Sequence, residues 1–167
     1  MKTEKIPSTT RKGTVLIPAR LKVLDRKERF AVLATDDEGH PYTSLVNFAL
    51  TSDCKTVIFA TQRATRKYRN MIKTKSVALL IDSRSKKTNN LMGIEAVTVI
   101  GKARPLRRGN VWDSFAKIYI KKHADLKEFI YSKSTTLMVV EATQCIHVSR
   151  FQTISVWDCS EKNKDKG

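Results

Sequence analysis

Between Phe59 and Ile72 the sequence FATQRATRKYRNMI runs from an apolar stretch through a polar corner into a segment crowded with cations. Strand, turn and basic helix in that order are the parts of a phosphate cradle. The turn frees backbone N–H groups at the helix start, the helix dipole favours an anion there, and Arg66 and Lys67 add full positive charge. Arg63, Arg66, Lys67, Arg69, Lys73 and Lys75 follow one another with no acid between them. Thr65 stands where a helix N-cap would. The competing reading of this segment is a solvated basic helix face.

Little else in the chain offers chemistry. Cys54, Cys145 and Cys159 are odd in number and far apart in sequence, with no Cys-x-x-Cys pair, so neither a disulfide framework nor a zinc site is indicated. His40, His123 and His147 are equally scattered, and His40 lies in a Gly-His-Pro turn where exposure is expected. No Ser-His-Asp, Cys-His or paired-carboxylate set is present. Tyr68, Tyr119 and His147 can titrate or donate, but no dedicated proton donor stands out.

Charge narrows the ligand class. Lys and Arg number 32 against 16 Asp and Glu, a net charge of +16, so the surface attracts anions over a screened distance of about 8 Å. Phosphorylated small molecules and nucleic acids both qualify. Apolar residues make up 41% and charged residues 29%, a globular balance. No apolar run approaches the roughly 20 residues of a bilayer span, and the N-terminus lacks the apolar region of a secretory signal. The expected location is the cytoplasm.

The elements that must position the cradle follow from periodicity. A chain of 167 residues suits one domain, expected over residues 13–157 between mobile ends at 1–12 and 158–167. A short helix is expected from Pro18 to Arg29. Strands follow at Phe30–Thr35 and Tyr42–Leu50, joined through Asp36-Asp37-Glu38-Gly39-His40-Pro41, and at Thr56–Thr61, together a three-stranded meander. The basic helix spans about Ala64 to Lys73. Ser76–Asp82 is nearly all apolar and suits a strand buried on both faces. Arg84–Asn90 is a loop, Ile94–Ala103 an alternating strand, and Asn110–Tyr131 helical with a break near His123–Asp125. A last strand covers Thr136–Val148 and continues in some form to Trp157. Six or so strands, few helices and no βαβ alternation predict a mainly β fold, an antiparallel six-stranded barrel.

Three segments in this order, HPYTSLVNFAL (40–50), FATQRATRKYRNM (59–71) and VTVIGKARPL (97–106), resemble the FMN-binding split-barrel family typified by pyridoxamine 5′-phosphate oxidase. The resemblance runs from about Phe30 to Phe151. It implies that Arg66 and Lys67 hold the FMN phosphate, with Thr65 at the helix start. It also implies that Ala60 and Thr61 contact the cofactor and that Ser44, Leu45, Val46 and Asn47 line the flavin ring. Asn47 in an apolar strand agrees, because a buried amide needs partners. The family's true oxidases carry Lys at the position of Ala49 and Gln near that of Ala96. Their substrate-phosphate pattern is missing from Trp112–Ile120, and their C-terminal Arg and His signature is missing after Phe151. The cofactor half of the pattern carries over and the vitamin substrate does not.

The resemblance further implies a homodimer with the flavin at the subunit interface, Trp112 or Trp157 being candidates for its apolar wall. The leading reading is an FMN-binding oxidoreductase that moves hydride or electrons to or from a small molecule, with no metal. A deazaflavin or haem could occupy the same barrel, and a flavin carrier without turnover has the same sequence features. The reading from another class is a nucleic-acid-binding barrel, supported by Phe59 and Tyr68 among the cations but opposed by an aromatic content of 7%.

Overall fold

The computed structural model of the chain describes residues 8–85 and 90–160. The expected ends at 1–7 and 161–167, and residues 86–89 of the expected loop, lie outside the described residues. In chain order the elements are β1 (Arg11–Lys12), α1 (Ile17–Lys27), β2 (Phe30–Asp37), β3 (His40–Asn47), β4 (Ala49–Leu50), β5 (Thr56–Gln62) and α2 (Arg66–Lys73). They continue with β6 (Ser76–Asp82), β7 (Glu95–Pro105), α3 (Asn110–Lys122), α4 (Lys127–Tyr131), β8 (Thr135–Ser149) and β9 (Thr153–Asp158).

The β2–β3 hairpin turns on Glu38 and Gly39, at φ 54° and 87°. A two-residue hairpin loop needs that left-handed backbone, which glycine adopts without strain. Asp36 Oδ1 accepts the Gly39 N–H at 2.9 Å and fixes the turn. The return strand then breaks earlier than the expected Tyr42–Leu50. It pairs with β2 as far as Asn47, and after Phe48 the short β4 pairs with β5 instead. The expected meander is corrected accordingly: β5 meets its neighbour through only Ala49 and Leu50, and its long partner is β8, from Thr56↔Glu141 to Gln62↔Thr135.

Among the described residues the sheet holds nine strands rather than the six expected. Its path is β3-β2-β6-β7-β8, and β8 is long enough to divide its other edge between β5 and β9, with β1 parallel on β9. β3 and β5 lie beside each other without a ladder, so the barrel is split there. Arg11–Lys12, within the stretch expected to be a mobile end, are held in the sheet as β1. Between Ile100 and Gly101 the β7–β8 register shifts, and a Cβ on Gly101 would come within 2.3 Å of the Glu141 carbonyl, so only glycine fits the bulge. β6 alternates instead of being buried on both faces. Val77, Leu79 and Ile81 point inward while Ala78 and Leu80 are half-buried.

Two apolar clusters result. The barrel interior packs Leu33, Phe59, Leu79, Val97 and Val140 with Ile17, Leu21 and Leu24 of α1 and Met71 of α2. On the outer face of β5 and β8, α3 and α4 bury Trp112, Ala116, Tyr119 and Ile130 against Ile58, Leu137 and Val139. Trp112 is thus core, and Trp157 packs half-buried against the barrel cluster.

A polar clamp ties α1 to the sheet. Arg20 of α1 grips Glu95 of β7 with Nε at 2.9 Å from Oε2 and with Nη2 on Oε1, and His147 Nε2 of β8 lies 2.8 Å from Oε2. Burial pushes the Glu95 carboxyl up, but its bonds from Arg20 and His147 outweigh this and hold it below the usual range. A lowered carboxyl stabilises the fold above its unfolded-state pKa, about 4.3, and that contribution is lost as pH falls through the folded-state value. Glu95→Gln should therefore cost about 1–2 kcal/mol near neutral pH, a modest figure because Arg20 is 41% exposed. The stability gap between wild type and variant, read from urea unfolding, should close as pH drops below about 4.3. A gap that stays constant down to acid would show that the charge does nothing.

Candidate functional site

The start of α2 forms where the sequence places it. Thr65 caps the helix, its Oγ1 accepting the Tyr68 N–H at 3.4 Å and donating to the Gln62 carbonyl at 2.8 Å. Thr61 Oγ1 lies 3.0 Å from Thr65 Oγ1, so the strand end and the cap are joined. With Tyr68 N–H taken by the cap, the amides of Arg66 and Lys67 remain at the helix mouth with no intrahelical acceptor. Asn70, buried on the helix underside, donates Nδ2–H to Thr35 Oγ1 at 3.0 Å and pins α2 against β2.

The basic cluster does not stay as free of acid in space as it is in sequence. The β2–β3 turn brings Asp37 and Glu38 to it. Arg66 Nε donates to Asp37 Oδ2 at 2.8 Å and its guanidinium lies 4.7 Å from the Tyr42 ring centre, while Lys73 Nζ meets Glu38 Oε1 at 3.0 Å. The Arg66 bond holds the Asp37 carboxyl below its usual range. Arg69 folds back on the Ala64 carbonyl at 2.9 Å and Arg63 turns away to Thr136 Oγ1 at 2.8 Å. Lys67 has no partner among the described residues. Sequence reasoning missed Asp37 and Tyr42, though their place in a tight hairpin preceding the helix was visible.

The candidate residues divide by face. Ser44 and Val46 of β3 share the inward side with Leu33 and Ala31, their partners in register, while Leu45 stands 62% exposed outside. Ser44 Oγ is buried with no hydrogen-bond partner. Asn47 sits half-buried where the strand ends and donates Nδ2–H to the Arg29 carbonyl at 3.4 Å. Thr61 is buried facing inward, whereas Ala60 packs against the outer α3–α4 cluster. Ser44 and Thr61 therefore share the inward side, and Leu45 and Ala60 turn from it, while Thr65, Arg66 and Lys67 stand together at the start of α2. Ala49 is buried against the outer cluster and offers no polar contact.

The candidate proton carriers differ in access. Tyr119 is sealed in the outer core with its hydroxyl pushed well up by burial. His147 is held by Glu95. His123 is buried, burial lowers its pKa, and its neutral ring donates Nε2–H to the Phe48 carbonyl at 2.7 Å. Only Tyr68 of the three named in the sequence is half-open. All three cysteines are free and buried, and Cys145 and Cys159, far apart in sequence, bring their sulfurs to 3.7 Å. Among the described residues no group of His, Cys, Asp or Glu could hold a metal ion, and no helix is long and apolar enough to cross a membrane.

Several solved structures share this architecture. A heme binding protein from Mycobacterium smegmatis is 16% identical, with a TM-score of 0.71 over 82% of this chain and 56% of its own. The chain thus spans little more than half of that protein. A FAD-binding protein from Mesorhizobium loti is 13% identical, with a TM-score of 0.64 over 77% of this chain and 90% of its own. A putative pyridoxamine 5′-phosphate oxidase from Listeria innocua is 13% identical, with a TM-score of 0.60 over 77% of this chain and 95% of its own. No curated protein matches in sequence. At these identities the likeness is one of fold, but the family model described as pyridoxamine 5′-phosphate oxidase matches residues 17–149, from the first residue of α1 to the last of β8. With the split barrel, the capped basic helix and that match in hand, the chain belongs to the pyridoxamine 5′-phosphate oxidase family.

Proposed function

We propose that this protein is an FMN-binding flavoprotein, an oxidoreductase that exchanges hydride or electrons with a small molecule, working as a homodimer with the flavin at the subunit interface. The observation that carries the reading is the mouth of α2. At the start of α2 stand two N–H groups, the Thr65 hydroxyl with buried Thr61 behind it, an uncommitted Lys67 and the Arg66 guanidinium. That donor set fits a dianionic phosphate. Arg66 holds Asp37 at an exposed surface where solvent screens the ion pair, so its guanidinium is free to exchange that partner for a dianionic phosphate.

Within the split, the unpartnered Ser44 hydroxyl supports a polar ligand edge lying against β3, since a buried hydroxyl without a partner is costly. Asn47 adds a polar group at the strand end. Bound FMN would supply the redox chemistry; the chain would orient it and shield it from water. No residue of the chain is assigned as proton donor. Haem fits the donors less well, because it needs an axial ligand. His123 and His147 are buried and committed to Phe48 and Glu95, and His40 lies exposed on the hairpin turn. A deazaflavin would use the same cradle and is separated by its visible bands.

The dimer has its own support. Phe30, 52% exposed, and Leu45, 62% exposed, stand on the outer face of the β2–β3 hairpin, with half-buried Val32 opposite Leu45 in register. An apolar face on an antiparallel pair is suited to burial against a twin.

The purified protein should retain oxidised-flavin absorbance bands near one FMN per chain after excess is removed by gel filtration. Arg66→Ala with Lys67→Ala removes two contacts worth roughly 1.5–3 kcal/mol each and should weaken FMN binding by about two orders of magnitude or more with the fold intact. Unchanged affinity in a flavin fluorescence titration would move the phosphate elsewhere. Light scattering should give twice the chain mass for the wild type, and Leu45→Glu should shift it to monomer and release the flavin. A wild-type monomer that still holds FMN would sink the interface model.

A further inference from the structure

The barrel cluster holds three sulfurs that the flavin reading does not use. Cys54, Cys145 and Cys159 are all free and all buried within it. Cys145 lies on β8 directly opposite Trp157 of β9. Cys159 stands two positions beyond that partner, one residue past the end of β9, and side chains two apart along a strand share a face. The two cysteines are thus a diagonal pair across the β8–β9 ladder. Although they are 14 residues apart in sequence, their sulfurs lie 3.7 Å from each other. Cys54 has a different neighbour, its Sγ reaching the Pro18 carbonyl at 3.6 Å.

A disulfide bond is about 2.05 Å long, so closing the pair needs an approach of about 1.7 Å. Cys159 is the partner that can move. Cys145 is fixed in mid-strand, paired with Val99 of β7 on one side and with Trp157 on the other. Cys159 lies outside the strand, where its N–H bonds the Thr143 carbonyl at 3.0 Å and the next residue, Ser160, already turns back to Asp158 Oδ1. A small shift there breaks no bond inside β9. Access follows the same order, since Cys145 is 0% exposed and Cys159 5%. An opening so narrow suits an oxidant hardly larger than water. Burial pushes both thiols up, but the hydrogen bond from Cys145 and the charge of Lys55 pull that of Cys159 back, which makes Cys159 the better nucleophile.

We propose that Cys145 and Cys159 form a two-cysteine oxidation site, closed by hydrogen peroxide into an intramolecular disulfide. The Cys159 thiolate attacks one peroxide oxygen and the O–O bond breaks. Cys159 becomes a sulfenic acid, and the hydroxide that leaves takes up the proton Cys159 had given up. The Cys145 sulfur then attacks the Cys159 sulfur, and its proton departs with the displaced hydroxyl as water. Two thiols lose two electrons in all, and one peroxide is reduced to two waters. The bond holds the end of the sheet. β9 carries β1 on its other edge, and its Ser155 Oγ accepts the Val15 N–H at 3.2 Å just ahead of α1. A staple from β8 to the end of β9 secures these neighbours and shortens the unfolded chain's range of conformations. The proposal does not rest on the flavin reading.

Brief treatment of the full chain with hydrogen peroxide, then alkylation in denaturant and peptide mapping without reductant, tests it. Alkylated cysteines should fall from three to one, Cys54 alone keeping its label, and a cross-linked peptide should join Cys145 to Cys159. A thiol reductant should restore all three. The oxidised chain should unfold in urea at a midpoint higher by about 1 M or more. In Cys145→Ala, dimedone should trap a sulfenic acid at Cys159, whereas in Cys159→Ala the Cys145 thiol should stay unlabelled. The mapping uses the wild-type chain, so it decides the matter even where a variant fails to fold. Three alkylated cysteines after peroxide, a link through Cys54 or between chains, or sulfinic acid at Cys159 in place of the disulfide would each overturn the proposal. So would a urea midpoint that stays the same or falls on oxidation.

Discussion

The architecture depends on how one residue, Phe48, leaves a sheet without leaving its backbone unsatisfied. A strand that abandons its partner exposes unpaired N–H and C=O groups, and burying them unpaired would be costly. Phe48 meets the difficulty with partners outside the ladder. Its N–H reaches the Arg29 carbonyl at 3.3 Å, its carbonyl accepts from His123, and its ring lies under Lys122 Nζ at 3.7 Å. Lys122 in turn bonds Asp25 Oδ1 at 2.8 Å, the same oxygen that accepts the Leu50 N–H at 3.1 Å. The end of α1, the crossing strand and the end of α3 are thereby locked at one point. The split between β3 and β5 follows, and with it the corner that the α2 mouth faces.

Charge is distributed against this frame rather than spread over it. The net +16 says only that anions are drawn in. The fold then decides which cations remain available. A hairpin that turns on Glu38-Gly39 carries two acids to the basic helix, so Arg66 and Lys73 are partly neutralised while Lys67 is left. Arg63 bonds Thr136 of β8 and Arg66 bonds Asp37 of the hairpin, so the run that is uniform in the sequence diverges to different partners in space.

This divergence marks how far the sequence could be read. Local features carried well: Thr65 as the cap of the basic helix, Asp36 to Pro41 as a hairpin turn, and the interruption near His123 between α3 and α4 all depend on residues within a few positions of one another. Features set by distant partners did not carry. The break after Asn47 depends on His123, far along the chain. The inward alternation of β6 depends on helices covering only one face of its neighbours, and the bulge at Gly101 on the approach of the Glu141 carbonyl. Periodicity could show that strands exist, not which edges they share.

Two buried hydroxyls, Ser44 and Thr135, lack partners among the described residues. Structural hydroxyls in a core normally find a carbonyl, as buried Thr35 does with Tyr42 at 3.3 Å. These two lie on opposite faces, Ser44 inward on β3 and Thr135 outward on β8, so a single packing fault cannot account for both.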